Sequence, residues 1–383
     1  MSVTAPMGFR AAGVAAGLKA DGQPDVAVVV NDGPCRAAAA VFTANKVQAA
    51  PVTWTRQVVR GGRVRAVVLN SGGANACTGP QGFADAHATA EQLATAIGDS
   101  PGEIAVCSTG LIGERLPMDT LLPGVDAAVA QASRGGGLAA ADAIRTTDTV
   151  VKISFRRGTS YTIGGIAKGA GMVAPALATM LCVLTTDADL APAELDTALR
   201  SATDQTFERL DTDGCMSTND TVLLLASGAA GVRPDKAEFT GVLTEVCADL
   251  ARQLQRDAEG AEKMITVEVI GAASVADAVA AGRAVARSNL VKTAIGGEDP
   301  NWGRIVAAVG TTDAVFEPDR LNVAINGVWV CRNGAAAEAR WRADMKPKDV
   351  TIIVDLSAGP QSAVILTTDL TAAYVRENSA YPT

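Results

Sequence analysis

KGAGMVAPALATMLCVLTTDA, residues 168–188, joins a loop rich in glycine and holding Pro175 to MLCVL, an uninterrupted apolar run of strand length. Thr179 sits at the junction, so a hydroxyl opens what reads as a buried strand. Similar runs recur outward from it: VAVVV (26–30), VRAVVL (64–69), IAVCS (104–108), TVLLL (221–225) and TIIVDL (351–356). Between them lie stretches with helical spacing of apolar residues, at 85–97, 192–209, 236–256 and 273–288, the second opening on Pro192 at a first-turn position. The class is mixed α/β (α+β). From about residue 310 the short strands LNVAI, VWVC, TIIVDL and AVILTTDL crowd together, which predicts a smaller C-terminal α+β unit within about 280–383. There is no internal repeat and no low-complexity linker.

The chain has 383 residues, 48% hydrophobic and 19% charged, enough for two or three domains with a sizeable core. Its 33 basic and 41 acidic side chains leave a net charge of −8, a field that repels phosphate backbones and anionic lipid. Nucleic acid and membrane are therefore not expected as partners. The start, MSVTAPMGFRAAGV, has no basic region followed by an apolar stretch, and the seven cysteines are scattered without a C-x-x-C pair, so reduced thiols and a cytoplasmic location are expected. Neither a Walker loop nor a dinucleotide G-x-G-x-x-G is present, which leaves nucleotide binding without support.

The histidine count constrains the chemistry most. His87 is the only one, and it lies in AHATAEQLATAI, whose helical spacing makes it a helix-surface residue. Multi-histidine zinc sites are excluded, and a Ser-His-Asp triad would have to use His87. A hydroxyl nucleophile needs another base, and the amine of an N-terminal threonine, with a pKa of about 7.7–8.0, is one. Thr179 would acquire that amine if the chain were cut after Ala178. The cut can be self-made: Thr179 Oγ attacks the Ala178 carbonyl, the acyl group shifts from nitrogen to oxygen, and water hydrolyses the ester. Taken alone, a threonine between a loop and a strand is an ordinary element boundary, and the surrounding motifs give the cleavage reading its weight.

Those motifs, IAKGAGMVAPALATML, STGLIGERLPMD, TTDT, STNDT, DPNWGR and the terminal ENSAYPT, resemble the signatures of ornithine acetyltransferase, also called glutamate N-acetyltransferase, across essentially the whole chain. The resemblance implies an N-terminal-nucleophile-like αββα arrangement of sheets layered between helices. It further implies self-cleavage into an α chain (1–178) and a β chain (179–383), and an α2β2 heterotetramer of the cleaved chains. The implied reaction moves an acetyl group from N-acetylornithine to glutamate through an acetyl-Thr179 intermediate in arginine biosynthesis, with no cofactor and no metal. Acetyl-CoA is a further donor that motifs leave open. Residue by residue, the resemblance makes Thr179 the nucleophile, with the Thr109 hydroxyl and the Gly110 N–H as oxyanion donors. It places substrate contacts on Thr146 or its neighbour Thr147, Lys168, Thr179, Glu259, Asn378 and Thr383. A lysine ammonium with neutral hydroxyl and amide donors suits an α-carboxylate, and Glu259 suits an ammonium group.

The chain departs from the family pattern at Gly73, where asparagine is expected, at Cys215 and Met216 in an otherwise polar stretch, and in the acidic approach GGEDPNWG. These touch loop geometry and leave the nucleophile alone. Two other classes fit the residues without the resemblance: a self-cleaving aminopeptidase or amidase that hands the acyl group to water, and a non-catalytic α/β binding protein whose glycine loops only shape a pocket.

Overall fold

The structure, a computed structural model, describes residues 2–172, Ala174 and residues 180–380. Ala178, Thr179 and Thr383, which carry the expected cleavage site, nucleophile and one substrate contact, lie outside the described residues. The chain forms two compact units, one of residues 1–208 and 215–254, the other of 209–214 and 255–382. The second is wider than the region from about 280 marked by crowded strands, because it also takes in an earlier strand and helix.

In the first unit the elements run β1 (Phe9–Val14), β2 (Val26–Asn31), β3 (Ala37–Phe42), α1 (Ala50–Val59), β4 (Ala66–Ser71), α2 (Gly79–Ile97), β5 (Ile104–Thr109), α3 (Met118–Gln131), α4 (Gly137–Ala143), β6 (Lys152–Arg157), β7 (Thr162–Lys168), β8 (Leu181–Thr186), α5 (Pro192–Gln205), β9 (Thr221–Ala226) and α6 (Lys236–Arg256). One sheet has the order β1-β2-β4-β5 and the other β3-β9-β8-β7-β6. The apolar runs read from the sequence are strands buried on both faces: every residue of β2, β4, β5, β8 and β9 is buried, as a run without polar alternation requires. Alternation then sorts the side chains. Leu181, Val183, Leu223 and Leu225 join a core shared with β2, β4, β5 and with α2 and α3. The opposite face of the second sheet meets α6, whose Gln253 bonds both backbone groups of Ile153 at 3.1 and 3.0 Å and whose Leu250 approaches Leu184 over Gly165. Helix, sheet, sheet and helix are thus stacked, the layering the family resemblance implied.

The helix expected over 192–209 stops at Gln205, where a short 3-10 turn over Phe207–Arg209 takes over, and Pro192 opens it without a lost hydrogen bond. Several strands escaped the sequence reading. FRAAGV, AAAAVF and TIGGIAK are rich in alanine and glycine, carry little apolar signal and are held by their neighbours in register. His87 is half-exposed on α2 beside Trp54, as its helical setting suggested.

The second unit continues with β10 (Met264–Ala272), α7 (Val275–Arg287), α8 (Asn289–Gly296), α9 (Trp302–Val309), β11 (Asn322–Ile325), β12 (Val328–Arg332), β13 (Ala335–Ala336), β14 (Asp349–Asp355), β15 (Gln361–Thr368) and α10 (Ala372–Ala380). Its sheet has the order β13-β12-β11-β14-β10-β15, and α7 and α9 supply the apolar cover. The segment 209–214 belongs here for a chemical reason. The Asp211 N–H donates to Leu366 O at 2.9 Å, Arg287 pairs with the Asp211 carboxylate at 2.7 Å, and the Lys292 ammonium donates to Thr212 O and Thr368 O, each at 2.6 Å.

Lys292 is a buried cation. Burial lowers its pKa to about 8, with Asp213, Asp211 and Asp369 pulling the other way. Its folded value thus lies below the ordinary 10.5, so between those two values the unfolded chain binds more protons and the fold gains stability as pH rises. The unfolding free energy should therefore climb by roughly 1 kcal/mol per pH unit across that window, from denaturant titrations, relative to a Lys292→Met variant. Equal slopes for the two proteins would contradict this.

Candidate active site

The first unit gathers the ends of β5, β7, β8 and β9 and the loops that follow or precede them. β5 ends on Thr109, whose carbonyl accepts the N–H groups of Gly72 and Gly73 at 3.0 and 3.1 Å. Gly110 has φ +131, and a Cβ there would stand 2.6 Å from Gly73 N and 2.9 Å from Gly72 C. Only glycine allows both that backbone angle and that approach, so STGLIG and NSGGANACTG pack backbone against backbone. The Asn70 side chain fastens the pair, donating to Gly73 O at 3.0 Å and accepting the Ser108 hydroxyl at 2.6 Å.

β7 carries Lys168 as its last residue, 1% exposed, with Nζ 3.4 Å from Thr109 Oγ1 and 3.9 Å from Asp148 Oδ2. Lys152, which opens β6 and is fully buried, donates to Asp148 Oδ1 at 2.6 Å. The same carboxylate accepts the Gly169 N–H at 2.6 Å and the Thr146 N–H at 3.0 Å. Burial would raise the Asp148 pKa, but Lys168, Lys152 and the Gly169 amide outweigh it and hold the group at about 2. Asp148 is therefore an anion under all ordinary conditions, tying the 146–149 loop to the start of the glycine-rich segment that leads to Thr179.

On the far side of that segment, Met180 precedes β8. Its N–H donates to Asp220 Oδ1 at 3.0 Å, and its carbonyl accepts the Thr221 N–H at 3.2 Å. Asp220 is fully buried, and burial pushes its carboxyl well above the usual carboxylate range against the pull of the Met180 amide and the Lys168 ammonium. Next to it Asn219 Nδ2 donates to Ala74 O at 2.6 Å and Ser108 O at 2.8 Å.

Of the residues singled out from sequence, Thr109, Gly110, Lys168 and the Thr146 backbone are brought together in this unit. Glu259 and Asn378 lie in the second unit. Glu259 sits in the turn before β10, where a Cβ on Gly260 would press on Tyr374 N, and Asn378 is exposed on α10, donating to Tyr374 O at 3.1 Å. Asp148, Lys152, Asn219 and Asp220 were not assigned from the sequence. TTDT and STNDT hold three of them, and the signal was available there: polar residues flanking strands too apolar to leave a polar neighbour in water.

The ArgJ family model matches residues 10–383. An arginine biosynthesis bifunctional protein ArgJ from Thermobifida fusca is 70% identical over the full length of both chains. One from Mycobacterium tuberculosis is 57% identical over 99% of this chain and 96% of its own. Among solved structures, ornithine acetyltransferase complexed with ornithine, from Mycobacterium tuberculosis, is 58% identical over 47% of this chain and 96% of that one, with a TM-score of 0.45. The ArgJ protein of Bacillus halodurans is 37% identical over 51% and 97%, with a TM-score of 0.49. A match that runs from β1 to the end of the chain, at such identities, makes this chain a member of the ArgJ family.

Proposed function

We propose that this protein is an acetyltransferase of arginine biosynthesis that cleaves itself between Ala178 and Thr179 and then carries the acetyl group on Thr179. The observation that carries the reading is the convergence of Thr109 Oγ1, the Lys168 ammonium and the Met180 amide group on one loop cluster, with Met180 covalently next to Thr179. Family membership supplies the substrates, since relatives are named for arginine biosynthesis and one solved relative is named as ornithine acetyltransferase complexed with ornithine.

In the cycle, the freed Thr179 amine takes the hydroxyl proton while Oγ bonds to the acetyl carbonyl of N-acetylornithine. Negative charge develops on that carbonyl oxygen and is met by the Thr109 hydroxyl and the Gly110 N–H. Lys168, 3.4 Å from Thr109 Oγ1, strengthens the threonine as a donor and supplies a positive field in a dry site. The C–N bond breaks, the leaving amine takes the proton, and ornithine departs. Glutamate's amine then attacks the acetyl ester, releasing N-acetylglutamate and restoring Thr179. One amide is exchanged for another, so no energy source is required. Thr146 or Thr147, Lys168, Glu259, Asn378 and Thr383 contact substrate in this reading, and the cleaved chains assemble as an α2β2 tetramer in the cytoplasm. The relatives' designation as bifunctional fits a second donor, acetyl-CoA, feeding the same acetyl-enzyme.

Thr179→Ala should remain a single full-length chain on a denaturing gel and transfer no acetyl group, and fragments 1–178 and 179–383 in that variant would sink the reading. Product analysis of the parent separates transfer from hydrolysis: N-acetylglutamate supports the proposal, and free acetate as the only acetyl product would assign an amidase. Thr109→Val should lower kcat by about 10²–10³ and slow self-cleavage alongside, because one donor serves both reactions, while Thr109→Ser keeps most of the rate. Lys168→Met should still cleave, more slowly, and raise KM for N-acetylornithine, measured on the cleaved enzyme. An unchanged KM would remove Lys168 from the substrate contacts.

A further inference from the structure

Two neighbouring side chains reach the backbone on either side of the proposed reaction centre. Asn219 donates both protons of its amide, to Ser108 O at 2.8 Å, one residue before Thr109, and to Ala74 O at 2.6 Å, in the loop against which Gly110 packs. Asp220 accepts the N–H of Met180 at 3.0 Å, one residue after Thr179. From these contacts we infer that Asn219 and Asp220 are positioning residues that set the distance and angle between the Thr179 hydroxyl and its oxyanion donors. The inference rests on Thr179 being the nucleophile.

Asn219 and Asp220 immediately precede β9, and their side chains reach different partners: Asn219 bonds the loop after β4 and the end of β5, and Asp220 bonds the residue before β8. Their Cα atoms are held about 3.8 Å apart by a single trans peptide. The loop pair after β4 and β5 and the residue before β8 are thereby referenced to one rigid link. Both carbonyls reached by Asn219 are in a buried region and need a donor, and among uncharged side chains only an amide offers two N–H groups from one nitrogen. The Asn219 carbonyl oxygen is fixed in turn, accepting the Thr218 hydroxyl at 2.6 Å, so the amide cannot flip. At Asp220 the ladder supplies a second hold, since Thr221 N–H bonds Met180 O at 3.2 Å. The N–H and the carbonyl of Met180 are thus both held by the consecutive residues Asp220 and Thr221. Reaction geometry tolerates little error, and a displacement near 1 Å costs about 10²-fold in rate.

An asparagine at position 220 keeps the shape of the side chain and still leaves an oxygen to accept Met180 N–H, whereas alanine removes that acceptor. That makes Asp220→Asn and Asp220→Ala a discriminating pair. In the full chain, Asp220→Ala should slow self-cleavage and lower kcat for acetyl transfer by about 30-fold or more, with KM within about threefold, and Asp220→Asn should recover at least about tenfold of that loss with the parent's pH profile. Asn219→Asp, which removes both donors at constant volume, should lose at least as much. Val28→Ala, a core truncation in β2, serves as a control matched for lost thermal stability and should cleave and turn over normally. The inference is overturned if Asp220→Asn is no better than Asp220→Ala, which would give the carboxyl a proton-carrying role. It is overturned equally if Asp220→Ala matches the parent's rates, or if Val28→Ala loses as much as the site variants at equal stability. Should Asn219→Asp fail to fold, the Asp220 pair decides alone. Cleavage by Thr179→Ala would sink the nucleophile assignment instead, a result distinct from any of these.

Discussion

Lys152 and Lys168 are carried by adjacent strands into a region with essentially no solvent, and the Asp148 carboxylate is what makes that burial tolerable. A buried cation without a partner would cost several kcal/mol, and removal of one member of a buried pair typically costs about 3–5 kcal/mol. Asp148 also accepts two backbone N–H groups, one from each loop flanking the site, so its charge fixes main-chain positions as well as side chains. Among the described residues the trio has two positive charges and one negative. The Lys168 ammonium lies beside Thr109, where a reaction proceeding through an oxyanion needs a positive field.

The other half of the site is built by backbone accounting. The loops after β4 and β5 and the residue before β8 present N–H and C=O groups inside a dry interior, and each must be bonded. Asn70, Ser108, Asn219 and Asp220 do this with short bonds to main-chain or side-chain atoms. Gly110 complements them sterically, since any Cβ would meet the Gly73 backbone.

The second unit shows the same economy in a different setting. The segment 209–214 is separated in sequence from the rest of that unit, yet Arg287, Lys292 and the β15 backbone hold it there through charge-assisted bonds. The turn bearing Glu259 is fitted closely to α10, with Gly260 against the Tyr374 backbone.

The amino-acid sequence alone determined the class of fold, the long apolar strands and amphipathic helices, the single histidine and the family. Those properties are local: a run of five apolar residues, a helical period or a single histidine can be read without knowing what lies opposite. Strands such as AAAAVF and TIGGIAK were not legible, because their pairing comes from neighbours and from close packing that only small residues allow. Asp148, Asn219 and Asp220 stood inside quoted motifs without a role, since a carboxylate or an amide acquires its function largely from partners on other strands and loops, such as Gly169 for Asp148, Met180 for Asp220 and Ala74 for Asn219. Tertiary structure alone decided which charges are buried together and which carbonyls need a donor, because solvent exclusion is a property of the assembled interior and of no segment within it.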